Sequence, residues 1–122
     1  MHNQAAAAYQ KTTQTTATGR ELEATLLMKA AAQLQITLDG WDGDTPASLH
    51  DALTYNRRLW TILTTSAVDT TNPLPDDVKE NLGSLGAFVL KHTLDLMLAP
   101  EQAKVQTLVT INRNIAQGLR GA

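Results

Sequence analysis

The sequence contains no cysteine. That excludes disulfides, thiolate metal sites and a cysteine nucleophile, and nothing suggests a secreted, disulfide-stapled domain. Aromatic residues make up only 4% of the chain. Strands favour aromatic and β-branched side chains, so the shortage argues against an all-β core. No apolar run approaches the roughly 20 residues that span a bilayer. The start, Met1-His2-Asn3-Gln4 followed by four alanines, lacks the charged opening and leucine-rich middle of a signal peptide. The expectation is a cytoplasmic protein without membrane insertion.

Excess charge of one sign is also missing. Ten Lys and Arg stand against twelve Asp and Glu, for a formal net charge of −2 and a pI near 5.8. Nucleic-acid-binding domains usually carry a basic stripe and a pI above about 9. Here the cations are scattered, with Arg57-Arg58 the only adjacent pair, so the overall field does not favour direct binding to RNA or DNA.

What the chain does have is Ala and Leu, within a hydrophobic content of 43% over 122 residues. Both residues favour helices, and the length suits a single domain with its own core. Residues 1–18 are rich in Ala, Gln and Thr. The Thr12–Thr16 stretch has poor helix propensity, so this segment reads as an N-terminal arm, flexible or briefly helical around Ala5–Tyr9. Residues 19–122 read as the helical domain.

Four amphipathic segments follow. Helix A is expected over 19–38, opened by a Thr18/Glu21 capping box and closed by Asp39-Gly40, with Ala24, Leu27, Ala31, Leu34 and Leu38 on one face. Helix B is expected over 46–68, with Thr45 as cap and Pro46 at the first helical position. Its stripe is Leu49, Leu53, Asn56, Trp60, Leu63 and Ala67, widened by Leu59 and Ile62. Helix C is expected over 75–98, led by Pro75, with Asp76 and Asp77 complementing the helix dipole. Its stripe is Val78, Leu82, Leu85, Val89, His92 and Leu96. Phe88, Leu90, Leu94 and Met97 fall outside that stripe, which makes the helix central or gives it a second binding face. Helix D is expected over 101–119, with Val105, Leu108, Asn112, Ile115 and Leu119 inward. Short connections between helices of this length imply an all-α, antiparallel four-helix bundle.

Three polar residues, Asn56, His92 and Asn112, interrupt the stripes. They either meet in the core and fix its register, as a buried Asn does in coiled coils, or each reaches water at an edge. Gly83 and Gly86 each cost about 1 kcal/mol inside a helix relative to Ala. Close helix approach, a partner groove or local bending can account for them. Asp39, Asp42 and Asp44 fail the calcium-loop spacing and lack its bidentate Glu, and Trp41 beside them either folds back or stands out as an anchor. There is no phosphate-binding Gly loop, no paired-carboxylate site and no nucleophile–base pair. His50-Asp51 is merely adjacent on a helix, where neighbours diverge. No enzyme activity, metal or cofactor is expected.

Three blocks resemble the FlaF family of flagellar proteins. The first is Ala8-Tyr9-Gln10 with Gly19-Arg20-Glu21-Leu22-Glu23. The second is Arg57-Arg58-Leu59-Trp60-Thr61-Ile62-Leu63 with Asn72-Pro73-Leu74-Pro75, and the third runs from Leu108 to Leu119. The resemblance spans about Ala5 to Leu119 and implies a cytoplasmic role in making the flagellar filament, by binding flagellin and promoting its production and export. It also implies work alongside the regulator FlbT, which acts on flagellin messenger RNA, so a post-transcriptional role and a plain assembly subunit stand as alternatives. The candidate partner-binding residues are Arg57, Arg58, Trp60, Asn112 and Arg113. Arg and Trp are frequent interface anchors, yet Trp60 also lies on the core stripe of helix B.

Overall fold

The computed structural model describes residues 4–121, with side-chain surroundings from Gly19 onward. It consists of α1 (Gln4–Asp39), α2 (Ser48–Val68), α3 (Asp76–Leu98) and α4 (Gln102–Gly121), with no strand among the described residues. The expected all-α bundle is what forms.

Helix α1 begins earlier than propensity suggests, because the arm enters as backbone helix continuous with 19–39. Thr lowers helix stability by at most about 0.7 kcal/mol per residue. Between residues 4 and 39 there is no Pro, and Gly19 is the only Gly, so no residue forces a break. Thr18 and Glu21 therefore sit inside a helix rather than forming a capping box. The side chains of Ala8-Tyr9-Gln10 lie outside those described.

The other boundaries shift by one or two residues. Helix α2 starts at Ser48 after Ala47, without a side-chain cap. The Leu49 N–H reaches the Pro46 carbonyl at 3.1 Å, so Thr45-Pro46 forms the lead-in turn. Pro75 is the N-cap of α3 rather than its first helical residue, and its carbonyl accepts from the Lys79 N–H at 3.0 Å. Asp76 and Asp77 do occupy the first turn. After α1, the left-handed backbone position falls on Gly43, at φ 79°, and not on Gly40. Trp41 folds back and packs, half-buried, against the core.

Helix α1 packs closely on α4, and α2 on α3. Helix α1 also touches α2, whereas α3 and α4 approach each other far less. The core centres on Leu27, Leu34, Leu53, Trp60, Val89, Leu96, Val105 and Leu108, all almost fully enclosed. The predicted α2 stripe is buried throughout, including Leu59, but Ile62 is 67% exposed.

On α3 the buried stripe is displaced by one residue at two places. Leu82, Gly86, Val89, Thr93 and Leu96 face inward, so Gly86 and Thr93 replace Leu85 and His92. The same 4-3-4-3 rhythm runs through both sets. Helix α2 lies so near Gly86 that an added Cβ would sit 3.1 Å from Thr64 Cβ and 3.2 Å from its Cγ2. The missing side chain is what brings the two helices together. Gly83 meets only Val68 Cγ1, at 3.9 Å. Thr93 satisfies its buried hydroxyl by donating to the Val89 carbonyl at 2.7 Å.

Candidate partner-docking site

Parts of the three blocks line two adjoining features at one end of the bundle, which share Leu74. From the first block, Gly19, Arg20 and Glu23 form one wall of a polar notch of about 270 Å³, faced by the α2–α3 connection from Asp69 to Leu74. That connection is tied down locally. Asp69 Oδ1 accepts from the Thr71 N–H at 2.9 Å and from the Thr71 hydroxyl at 2.8 Å. Asn72 Nδ2 donates to the Ser66 carbonyl at 3.0 Å, while Asn72 Oδ1 accepts from the Leu74 N–H at 3.0 Å. Lys79 Nζ donates to the Asp69 carbonyl at 3.1 Å. The connection is thus a fixed turn that packs Leu74 against Ala67 and Leu82.

Electrostatics in the notch split its two carboxylates. Glu23 is half-buried, and desolvation raises its pKa above the ordinary value against the opposing field of Arg20. Asp69 is held below its ordinary value, first by the Thr71 backbone and then by the Thr71 hydroxyl. Burial penalises charge in the first case, and donated hydrogen bonds favour it in the second.

Leu74 also opens onto a second feature. Helices α3 and α4 are pinned near their joining turn, where His92 Nε2 donates to the Lys104 carbonyl at 3.1 Å. Farther away they splay. Val78, Leu82 and Leu85 then face Ile115, Gly118 and Leu119 across an apolar cleft of about 230 Å³. Small-molecule pockets usually occupy about 300–1,000 Å³. This cleft has the dimensions and apolar lining suited to one or two anchoring side chains of a partner helix. Gly118 leaves its side open, with nothing within 4 Å of an added Cβ.

The blocks are also linked beneath the surface. Trp60 Nε1 donates to Asn112 Oδ1 at 2.8 Å, and Asn112 Nδ2 donates to Asn56 Oδ1 at 2.7 Å. This chain crosses from α2 to α4 inside the core. Arg120, directly after the third block, donates its Nε–H to Glu21 Oε1 of the first at 3.2 Å.

The predicted site residues therefore separate into two groups. Trp60 and Asn112 are fully enclosed and act on the core, so neither can touch a partner while the bundle is closed. Arg57, Arg58 and Arg113 are exposed. Arg57 and Arg58 flank a different groove, beside Ile62, Leu90 and Leu94. Of the three polar interruptions, Asn56 and Asn112 meet and Trp60 joins them. His92 stays outside, stacked on Phe88 with ring centroids 5.1 Å apart. Leu85 and Ile115, expected on core stripes, do pack against the core, but each is only partly buried and also lines the cleft. No sequence signal marks the cleft, because its α3 lining is the expected core stripe itself; the off-stripe Leu90 and Leu94 line the other groove.

Among the described residues, no group of three or more His, Cys, Asp or Glu could hold a metal ion, and no helix is long and apolar enough to cross a membrane. The fold is a small all-α bundle with a narrow apolar cleft at one end. The chain belongs to the flagellar protein FlaF family, whose family model matches residues 5–119. No curated protein and no solved structure matches it.

Proposed function

We propose that this flagellar protein binds flagellin in the cytoplasm and promotes its production and export, acting by association rather than catalysis. The observation that supports this reading is the apolar cleft between α3 and α4, where Leu74, Val78 and Leu85 face Ile115 and Leu119. A helix laid into that cleft would anchor apolar side chains against Val78, Leu85 and Ile115. Flagellin held this way would keep an aggregation-prone apolar face covered until export.

Calorimetric titration of the purified chain with flagellin tests the proposal. Saturable binding is expected. Leu85→Glu or Ile115→Glu should weaken it by about tenfold or more, since each places a charge in the apolar seat. Both side chains are partly buried against the core, so a loss of binding counts only for a variant whose circular dichroism remains helical. Absence of binding by the folded wild-type chain would sink the reading. Salt-sensitive retention of flagellin messenger RNA instead would favour a post-transcriptional role, with or without FlbT.

A further inference from the structure

The α3–α4 cleft leaves another apolar surface unused. On the outer side of the bundle, Arg57, Arg58, Thr61 and Ile62 of α2 face Leu90 and Leu94 of α3 across a shallow groove of about 600 Å³. Leu94 lies about half a turn around α3 from Leu85, at roughly 100° per residue. The groove and the cleft thus open on opposite sides of one helix.

Its floor is costly to leave in water. Ile62 is 67% exposed and Leu94 is 49% exposed, and contiguous apolar surface of this kind marks interaction sites. Its rim has one sign of charge. Among the described residues, neither guanidinium of Arg57 and Arg58 has an ion-pair or hydrogen-bond partner. In a chain whose net charge is −2, this local excess of cations runs against the overall field.

We propose that this groove is a second docking surface and that its occupant is an acidic amphipathic helix of a partner protein. The occupant's apolar stripe covers Ile62, Leu90 and Leu94. Carboxylates along its flanks meet Arg57 and Arg58, where the planar guanidinium favours paired contacts. The inference goes beyond flagellin binding. Because the two openings lie on opposite sides of α3, the protein can hold one partner in the cleft and another in the groove.

The test uses the full chain and two synthetic amphipathic peptides with the same apolar face, leucines at i, i+3, i+4 and i+7. One is flanked by Glu and the other by Lys. By calorimetry at low salt, the Glu peptide should bind about tenfold more tightly, with the advantage shrinking as salt rises. Arg57→Glu combined with Arg58→Glu should reverse the preference. Ile62→Ser combined with Leu94→Ser should weaken both peptides, whereas the advantage of the Glu peptide should persist in Leu85→Glu, which blocks the cleft. Equal affinity for the two peptides would overturn the proposal, as would a preference that survives the charge reversal or is lost in Leu85→Glu. Self-association that disappears in Ile62→Ser/Leu94→Ser would place a second copy in the groove and overturn it equally. Ile62, Leu94 and both arginines are exposed, so circular dichroism should show each variant folded.

Discussion

Asn112 donates its side-chain amide to the Asn56 carbonyl oxygen across 2.7 Å, 56 residues apart in sequence and fully enclosed in the core. The bond is asymmetric in what it satisfies. Asn112 serves two partners, because its Oδ1 also accepts from Trp60 Nε1. Asn56 serves one, and its Nδ2 has no hydrogen-bond partner among the described residues.

That asymmetry predicts unequal costs. Asn112→Leu strands both the Trp60 N–H and the Asn56 carbonyl, and an unsatisfied buried group costs about 1–3 kcal/mol. Asn56→Leu strands only the Asn112 amide while removing a donor that was already unpaired. Urea denaturation should therefore show Asn112→Leu as the more destabilising change, by about 1 kcal/mol or more. The double variant should lose less than the sum of the singles. Equal single effects that simply add would count against the network.

The two glycines of α3 should respond oppositely to alanine. Gly83→Ala has room, with Val68 Cγ1 at 3.9 Å, and should gain up to about 1 kcal/mol from helix propensity. Gly86→Ala drives a methyl into the Thr64 side chain. Thr64 cannot easily turn away, because its hydroxyl is bonded to the Trp60 carbonyl at 2.7 Å. Overpacking of this kind costs about 1–3 kcal/mol, so thermal melts should move up for the first variant and down for the second.

How much was legible in the sequence varies helix by helix. The α2 stripe from Leu49 to Ala67 could be read correctly because a single 4-3 rhythm of large residues dominates it. Helix α3 carries two such rhythms side by side. Size favoured Leu85 and His92, but packing selected Gly86 and Thr93, since close approach to α2 depends on what a residue lacks. The Asn56–Asn112 contact was foreseeable as two polar interruptions on facing stripes. The part of Trp60 was not, because periodicity places its ring in the core without saying where its N–H points. The cleft depends on how far α3 and α4 splay beyond the His92–Lys104 contact, a tertiary property with no local signature.

The notch between α1 and the α2–α3 loop should give stability a two-part response to pH. Folding raises the pKa of Glu23, so the folded state binds that proton more tightly than the unfolded chain does. The resulting stabilisation is complete below the ordinary value of 4.5 and is lost as pH rises through the raised folded value. At neutral pH the charged side chain is therefore a small liability. Glu23→Gln should raise the unfolding midpoint there, by a fraction of about 1 kcal/mol given partial screening by water, and the gain should vanish towards pH 4. Asp69 behaves in the opposite sense. Its folded pKa is depressed below 3.8 by the Thr71 backbone and hydroxyl. Its stabilisation is present above 3.8 and disappears as pH falls through the lower folded value. Asp69→Ala should thus be less stable than wild type near neutrality and converge with it in strong acid. Melts of the wild type and both variants across this range separate the two carboxylates. If Glu23→Gln were as destabilising at pH 7 as Asp69→Ala, burial would not be what sets the Glu23 proton affinity.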